Sequence, residues 1–226
     1  MERMKVLVAC EESQTVCKAF RERGHEAYSN DVQKCSGGVP EWHILMDARA
    51  AINGGTMRLQ NGGVLEVNRW DLIIAHPPCT YLSSVATRHH SLKTSRENWI
   101  VARTLNRIEA MRFFMDCINA NCDKIAVENP VGIMNSAFRK PDMIVQPYYF
   151  AESEEDEENY VTKTTCFWLK GLAPLLRRNV LPKPVIDDFH PSGKRKYWED
   201  QITTDRARTR SKTFPGLARA MAEQWG

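Results

Sequence analysis

Five short apolar runs constrain this chain of 226 residues more than any other feature. They are Met4 to Cys10, His25 to Asn30, Trp42 to Met46, Asp71 to Ala75 and Lys124 to Val127. The sharpest is Asp71-Leu72-Ile73-Ile74-Ala75, a buried strand that ends in His76-Pro77-Pro78-Cys79. The two prolines stop it, because each lacks an N–H and fixes φ. An amphipathic stretch to Arg23 separates the first two runs and ends on Gly24, as a helix C-terminus should. Trp99 to Ala120 has helical apolar spacing and precedes the fifth run. Strands alternating with helices predict an α/β fold with a doubly wound, mostly parallel sheet. Carboxyl ends of parallel strands lie on one edge. Cys10 to Ser13, Asp31, Asp47, Cys79 and Glu128-Asn129 therefore converge on one crevice.

The remaining segments are less regular. Asn53 to Gly63 carries four glycines and reads as a loop. Thr80 to Arg96 reads as a long loop, which usually means function or disorder. The acidic run Glu152 to Glu158 is a solvated loop, Thr162 to Leu169 a strand and Phe214 to Trp225 a terminal helix. Residues 170–210 show little periodicity.

Hydrophobic content of 42% and charged content of 26% fit an ordinary globular protein. No run approaches the roughly 18 apolar residues of a membrane span, and Met1 to Cys10 reads as a strand and not as a signal peptide. Seven cysteines without a Cys-x-x-Cys pair argue against a disulfide framework and for a reducing cytoplasm. The net charge of +3 is uneven: Lys170 to Gly226 holds 12 Lys/Arg against 6 Asp/Glu. That basic end suits a polyanion such as nucleic acid, or is a solvated basic surface; charge alone leaves both open.

The crevice residues carry the chemistry. The first βα turn, Cys10-Glu11-Glu12-Ser13, has no glycine, and its acids would repel a diphosphate. It suits a ligand without phosphate. Asp31, about 20 residues on, is placed to accept ribose hydroxyls. Asp47 is placed for an adenine amino group, with Val32 and Ala48 beside these acids. A phosphate-free, positively charged nucleoside cofactor is S-adenosylmethionine. Taken singly, Asp31 and Asp47 read equally as turn and cap residues. Cys79, presented just past a strand end by rigid prolines, is a candidate nucleophile. Glu128 at the next strand end can act as an acid if burial raises its pKa. Cys17 and Arg23 match a phosphatase spacing, but they fall in a helix with no glycine turn. The scattered His and Cys make no metal-ligand set.

Pro77-Pro78-Cys79 after one strand and Glu128-Asn129 after the next resemble the DNA cytosine-5 methyltransferase family, closest to its small phage and prophage members. The resemblance extends over most of the chain and implies a Rossmann-like, class I S-adenosylmethionine-dependent methyltransferase. It implies a catalytic domain over residues 1–169, a short basic target-recognition region over 170–210 and a C-terminal helix over 211–226 that returns to the catalytic domain. Cys79, Glu128 and Asn129 would be catalytic. Cys10, Glu11, Glu12, Ser13, Asp31, Val32, Asp47, Ala48, Pro77 and Thr213 would line the cofactor. Pro78, Ser83, Arg88, Lys163, Thr165, Arg208 and Arg210 would meet the substrate, double-stranded DNA with a flipped cytosine. The implied setting is the cytoplasm of a bacterial or phage-infected cell, with no membrane and no metal. The chain departs from the family in its first turn, which is not glycine-rich, and at Lys163 and Thr165, where the family has two arginines.

Other readings differ in class. A zinc cytidine deaminase needs Pro-Cys-x-x-Cys, and position 82 is Leu82. An amino-methyltransferase carries an aromatic residue where Cys79 stands. A degenerate methyltransferase fold that only binds DNA, and a methyltransferase acting on RNA or a free pyrimidine nucleotide, remain alternatives.

Overall fold

The computed structural model describes residues 2–87, 97–185 and 204–226, together with 189, 191–193, 196, 198 and 202. Its strands are β1 (Lys5–Ala9), β2 (Glu26–Asp31), β3 (His43–Leu45), β4 (Gly55–Arg58), β5 (Val64–Val67), β6 (Leu72–Ala75), β7 (Ile125–Asn129), β8 (Met143–Val145) and β9 (Thr165–Lys170). Its helices are α1 (Thr15–Glu22), α2 (Ala48–Ala51), α3 (Ser84–Thr87), α4 (Glu97–Ile118), α5 (Met134–Ala137), α6 (Arg206–Ser211) and α7 (Pro215–Trp225).

Seven strands form one sheet in the order β3-β2-β1-β6-β7-β9-β8. The first five run parallel; β9 is antiparallel to both β7 and β8. The architecture is α/β and mostly parallel, compatible with a Rossmann-like fold. The chain winds outward from β1 to β3, then crosses to β6 on the other side of β1. This reversal opens a crevice between the ends of β1 and β6, where open α/β sheets hold ligands.

Alternation within each strand explains the continuous apolar runs. Val6, Val8, Leu72, Ile74 and Ala126 face one core layer with Phe20 of α1 and Leu217 and Met221 of α7. Leu7, Ala9, Ile73, Ala75 and Val127 face the other, with Ala48 and Ala51 of α2 and Phe114 and Cys117 of α4. Both faces of the sheet are covered, so neither register of a strand is polar. Fully buried Phe20 alone contributes about 1.5–3 kcal/mol. Gly24 closes α1 at φ +88°, its N–H bonded to Arg21 O at 2.9 Å.

Several boundaries differ from the sequence reading. Part of Asn53 to Gly63 is strand β4, paired antiparallel with β5, with the turn at Asn61-Gly62. The carboxylate-side oxygen of Asn61 accepts the Gly63 N–H at 2.9 Å, a turn signal present in the sequence. Edge strand β8 carried too short a pattern to stand out. Thr80 to Arg96 contains one helical turn, α3; residues 88–96 lie outside those described. Residues 206–211 form α6 within the stretch read as irregular. Strand β7 extends through Glu128 and Asn129, so both side chains project from the sheet itself. Among the described residues no helix is long and apolar enough to cross a membrane.

Candidate active site

The first βα turn bends without glycine. Cys10 (φ 60°) and Gln14 (φ 63°) both occupy the left-handed region that non-glycine residues avoid. Surrounding bonds impose this. The buried Gln14 amide donates to Val39 O at 2.8 Å and Ser29 Oγ at 3.3 Å, and its oxygen accepts the Val39 N–H at 3.0 Å. Gly37 lets the following loop close over the turn: a Cβ there would lie 2.5 Å from Ser13 O. Ser13 Oγ accepts the Thr15 hydroxyl at 3.1 Å, and Glu12 O accepts the Ser36 N–H at 2.8 Å.

Glu11 corrects the sequence reading. Its buried carboxylate accepts the N–H groups of Val16 (2.6 Å) and Cys17 (3.2 Å), so it caps α1 instead of facing a cofactor. Burial holds this carboxyl above its usual range; His76 and the two N–H groups pull the other way.

Asp31 and Asp47 each combine turn and pocket. One oxygen of Asp31 accepts the Gln33 N–H at 2.9 Å; one oxygen of Asp47 accepts the Arg49 N–H at 2.7 Å and caps α2. Both charges also act on the Cys10 thiol. That thiol is pushed far up, first by burial, then by Cys117, Asp31 and Asp47. The ends of β1, β2 and β3 therefore share one acidic neighbourhood. Asn30 ties it together, donating to Ile44 O at 2.8 Å and Met46 O at 2.9 Å. Val32 stands 71% exposed beside Asp31, whereas Ala48 is buried beneath the Asp47 cap.

Across the switch point, β6 delivers His76, Pro77, Pro78 and Cys79. The His76 N–H bonds Ala9 O at 3.0 Å, stitching β6 to β1. Pro77 is buried; Pro78 and Cys79 are exposed. Buried Asn129 donates its amide to Pro77 O at 2.7 Å, which holds the proline bend against the end of β7. Cys79 O accepts the N–H groups of Leu82 and Ser83, both at 3.0 Å, starting a turn. That turn is clasped by the loop after β7. Ile133 N–H bonds Leu82 O at 2.8 Å, Ser84 N–H bonds Val131 O at 2.9 Å, and Ser83 pairs with Gly132. A Cβ on Gly132 would lie 1.9 Å from Leu82 O, so only glycine allows the clasp. Ser83 Oγ, expected at the substrate, accepts the Ala86 N–H at 3.4 Å and serves α3.

Antiparallel β9 completes the site. Asn129 pairs with Cys166, so the residues entering β9 arrive where β7 ends. His76, Glu128, Lys163, Thr165 and Thr213 line one narrow cleft with Phe214. Lys163 Nζ donates to Arg210 O at 2.6 Å and lies 5.5 Å from the Phe214 ring centre. Arg210, Lys163 and Glu128 all act on Cys79. The surrounding chain desolvates its thiol and Glu128 repels its thiolate, which together raise it; Lys163 and Arg210 oppose them.

Glu128 differs from expectation in sign. Burial does raise its carboxyl, but His76 and then Lys163 outweigh that and leave it below its ordinary value. His76 Nδ1 lies 3.3 Å from Glu128 Oε2. The sequence reading quoted His76 but gave it no role. A second feature it missed is a stack outside the motif: Arg103 lies over the rings of Tyr81 (5.2 Å) and Trp99 (5.0 Å), and Arg107 Nε donates to Tyr81 O at 3.2 Å. These contacts moor the Cys79 loop on α4, and no spacing rule links positions so far apart. Arg88 and the Arg208 side chain lie outside the described residues.

Among the described residues no group of three or more His, Cys, Asp or Glu is arranged to hold a metal ion. Two clusters thus meet at one sheet edge, an acidic one over β1 to β3 and a thiol–carboxyl–amine one over β6, β7 and β9. Comparison with known protein families finds no family that matches the chain, and no curated protein sequence matches it.

Proposed function

We propose that this protein methylates cytosine C5 in DNA, using S-adenosylmethionine and a covalent Cys79 adduct. The observation that carries the reading is the assembly of Cys79, Glu128, Lys163 and Arg210 around one exposed thiol, from segments far apart in sequence. The acidic rim fits the cofactor by its chemistry. Asp31 and Asp47 offer carboxylate oxygens to hydroxyl and amino donors, Val32 offers exposed apolar surface, and the rim's negative charge suits a cation and not a phosphate. When bound, S-adenosylmethionine supplies an electrophilic methyl group.

Cytosine C5 is a weak nucleophile until C6 is attacked. The Cys79 thiolate forms the S–C6 bond, and the C5=C6 electrons are released toward C5 and N3. Glu128 meets N3, where a shared proton disperses the developing charge. As that proton is shared, the negative charge that opposes the Cys79 thiolate falls, while Lys163 and Arg210 still favour it. Asn129 keeps the nucleophile in place through Pro77 O. Loss of the C5 proton and cleavage of S–C6 return the thiol and restore the C5=C6 bond. A duplex hides C6 within the stack, so the base must be flipped out.

The decisive experiment uses duplex DNA carrying 5-fluorocytosine with labelled S-adenosylmethionine. Fluorine at C5 blocks the final elimination, so a denaturation-resistant adduct is expected, and Cys79→Ala abolishes it. An adduct that survives this substitution removes Cys79 from the mechanism. No adduct and no cofactor binding by calorimetry would leave a binding-only fold. Single-stranded DNA, RNA and free nucleotides serve as parallel substrates; a steep salt dependence on duplex supports DNA.

A further inference from the structure

His76 is chemically out of place if its job is only to follow a buried strand. It is one residue beyond β6, its backbone already fixed by Ala9 O, and its side chain is 8% exposed. An apolar residue would fill the position without bringing buried polar atoms. Instead Nδ1 lies 3.3 Å from Glu128 Oε2, while Nε2 is buried with no hydrogen-bond partner among the described residues. Unpartnered buried polar atoms in a cleft call for an explanation, and a functional role is one of the few available.

We propose that His76 is a positioning residue for Glu128: the Nδ1···Oε2 contact fixes one carboxyl oxygen and turns the other toward the cleft, where the target base arrives. The proposal rests on the methyltransferase reading, in which Glu128 meets N3. Geometry supplies the selectivity. A carboxyl free to rotate presents either oxygen, whereas one held at Oε2 presents Oε1 alone. Charge supplies the second part. A protonated imidazole stabilises ionised Glu128, so the resting carboxyl can accept a hydrogen bond from the base before it shares the N3 proton. The groups acting on this pair come from each element around it: Glu11 from the first turn, Lys163 from the approach to β9, and Cys79 with Arg210 behind them. Glu11 already serves the N–H groups of α1, so its carboxylate is committed and His76 turns its nearer nitrogen to Glu128.

The test uses two variants of the full chain. His76→Phe keeps a ring and removes the contact and the charge; His76→Asn keeps a donor near the Nδ1 position and removes only the charge. Glu128 is titrated in the free protein by carbon-13 NMR of labelled glutamate, with Glu128→Gln giving the assignment. Its titration is expected to rise by about 1–3 pH units in His76→Phe. The acid limb of 5-fluorocytosine adduct formation should move up with it, adduct formation should fall at least about tenfold, and His76→Asn should restore part of that loss. Affinity for S-adenosylmethionine should stay unchanged. A folded His76→Phe protein with wild-type titration and pH profile overturns the proposal. If His76→Phe does not fold, an unmoved Glu128 titration in His76→Asn overturns it. If the wild-type protein forms no adduct, the methyltransferase reading fails, and the Glu128 titration alone still decides whether His76 governs this carboxyl.

Discussion

The two halves of the sheet edge are built by different rules. Over β1 to β3, each acidic residue answers first to its own turn: Glu11 caps α1, Asp47 caps α2, and Asp31 accepts the N–H two residues on. Over β6, β7 and β9, the key side chains answer to partners far away in sequence: Asn129 to Pro77, Glu128 to His76, Lys163 to Arg210. The first half is local structure that leaves some chemistry over. The second half exists only because three strands meet. An acid at a strand end is therefore ambiguous until the second oxygen has been accounted for, whereas a cluster assembled across strands is a stronger pointer to a reaction.

The sharpest way to break this contrast is at the assembled half. Glu128→Gln keeps the shape of the side chain and removes the ionisable group. It should lower methyl transfer by about 10²–10⁴-fold, measured in single turnover, with little change in cofactor affinity. An unchanged rate would return Glu128 to a structural role. Next in size is the clasp. Gly132→Ala puts a methyl group against Leu82 O, so the two loops must separate. A loss of about 1–3 kcal/mol in urea unfolding is expected, together with faster proteolysis near Cys79. Wild-type stability would show that the clasp yields freely.

The local half predicts smaller and separable effects. Asp31→Asn keeps the turn acceptor, so stability should change by less than about 1 kcal/mol. Cofactor affinity by calorimetry should weaken about tenfold as a charge-assisted bond is lost. If affinity holds and only stability moves, Asp31 is a turn residue and nothing more. The smallest effect is a pH linkage. Glu128 is held below its ordinary value, so its ionised form stabilises the fold above the usual carboxylate range, and that contribution fades as pH falls through its lowered value. Comparing acid unfolding of the wild type with Glu128→Gln isolates it: the variant should lose less stability over that interval.

Particular residues mark how far the sequence could be read. The strand ends were legible because apolar runs stop at Asp, Pro or Asn for steric and solvation reasons that act within a few residues. The Asn61-Gly62 turn was equally local and was overlooked among four glycines. The bend at Cys10 and Gln14 was not legible. Sequence rules look for glycine at positive φ, whereas here buried bonds from Val39 and Ser29 hold Gln14 in that conformation. His76 was invisible for the same reason, since its meaning depends on where β7 puts Glu128.

The sequence by itself determined that strands and helices alternate, that both sheet faces are apolar, and that Cys79 follows a rigid bend. These follow from periodicity and from the geometry of proline. Tertiary structure alone decided which carboxyl caps a helix and which faces a cleft. It also decided that antiparallel β9 brings Lys163 to Glu128, and that Glu128 lies below its usual range. Electrostatics and close packing act through space, and the distances they depend on are set only when the strands have been placed side by side.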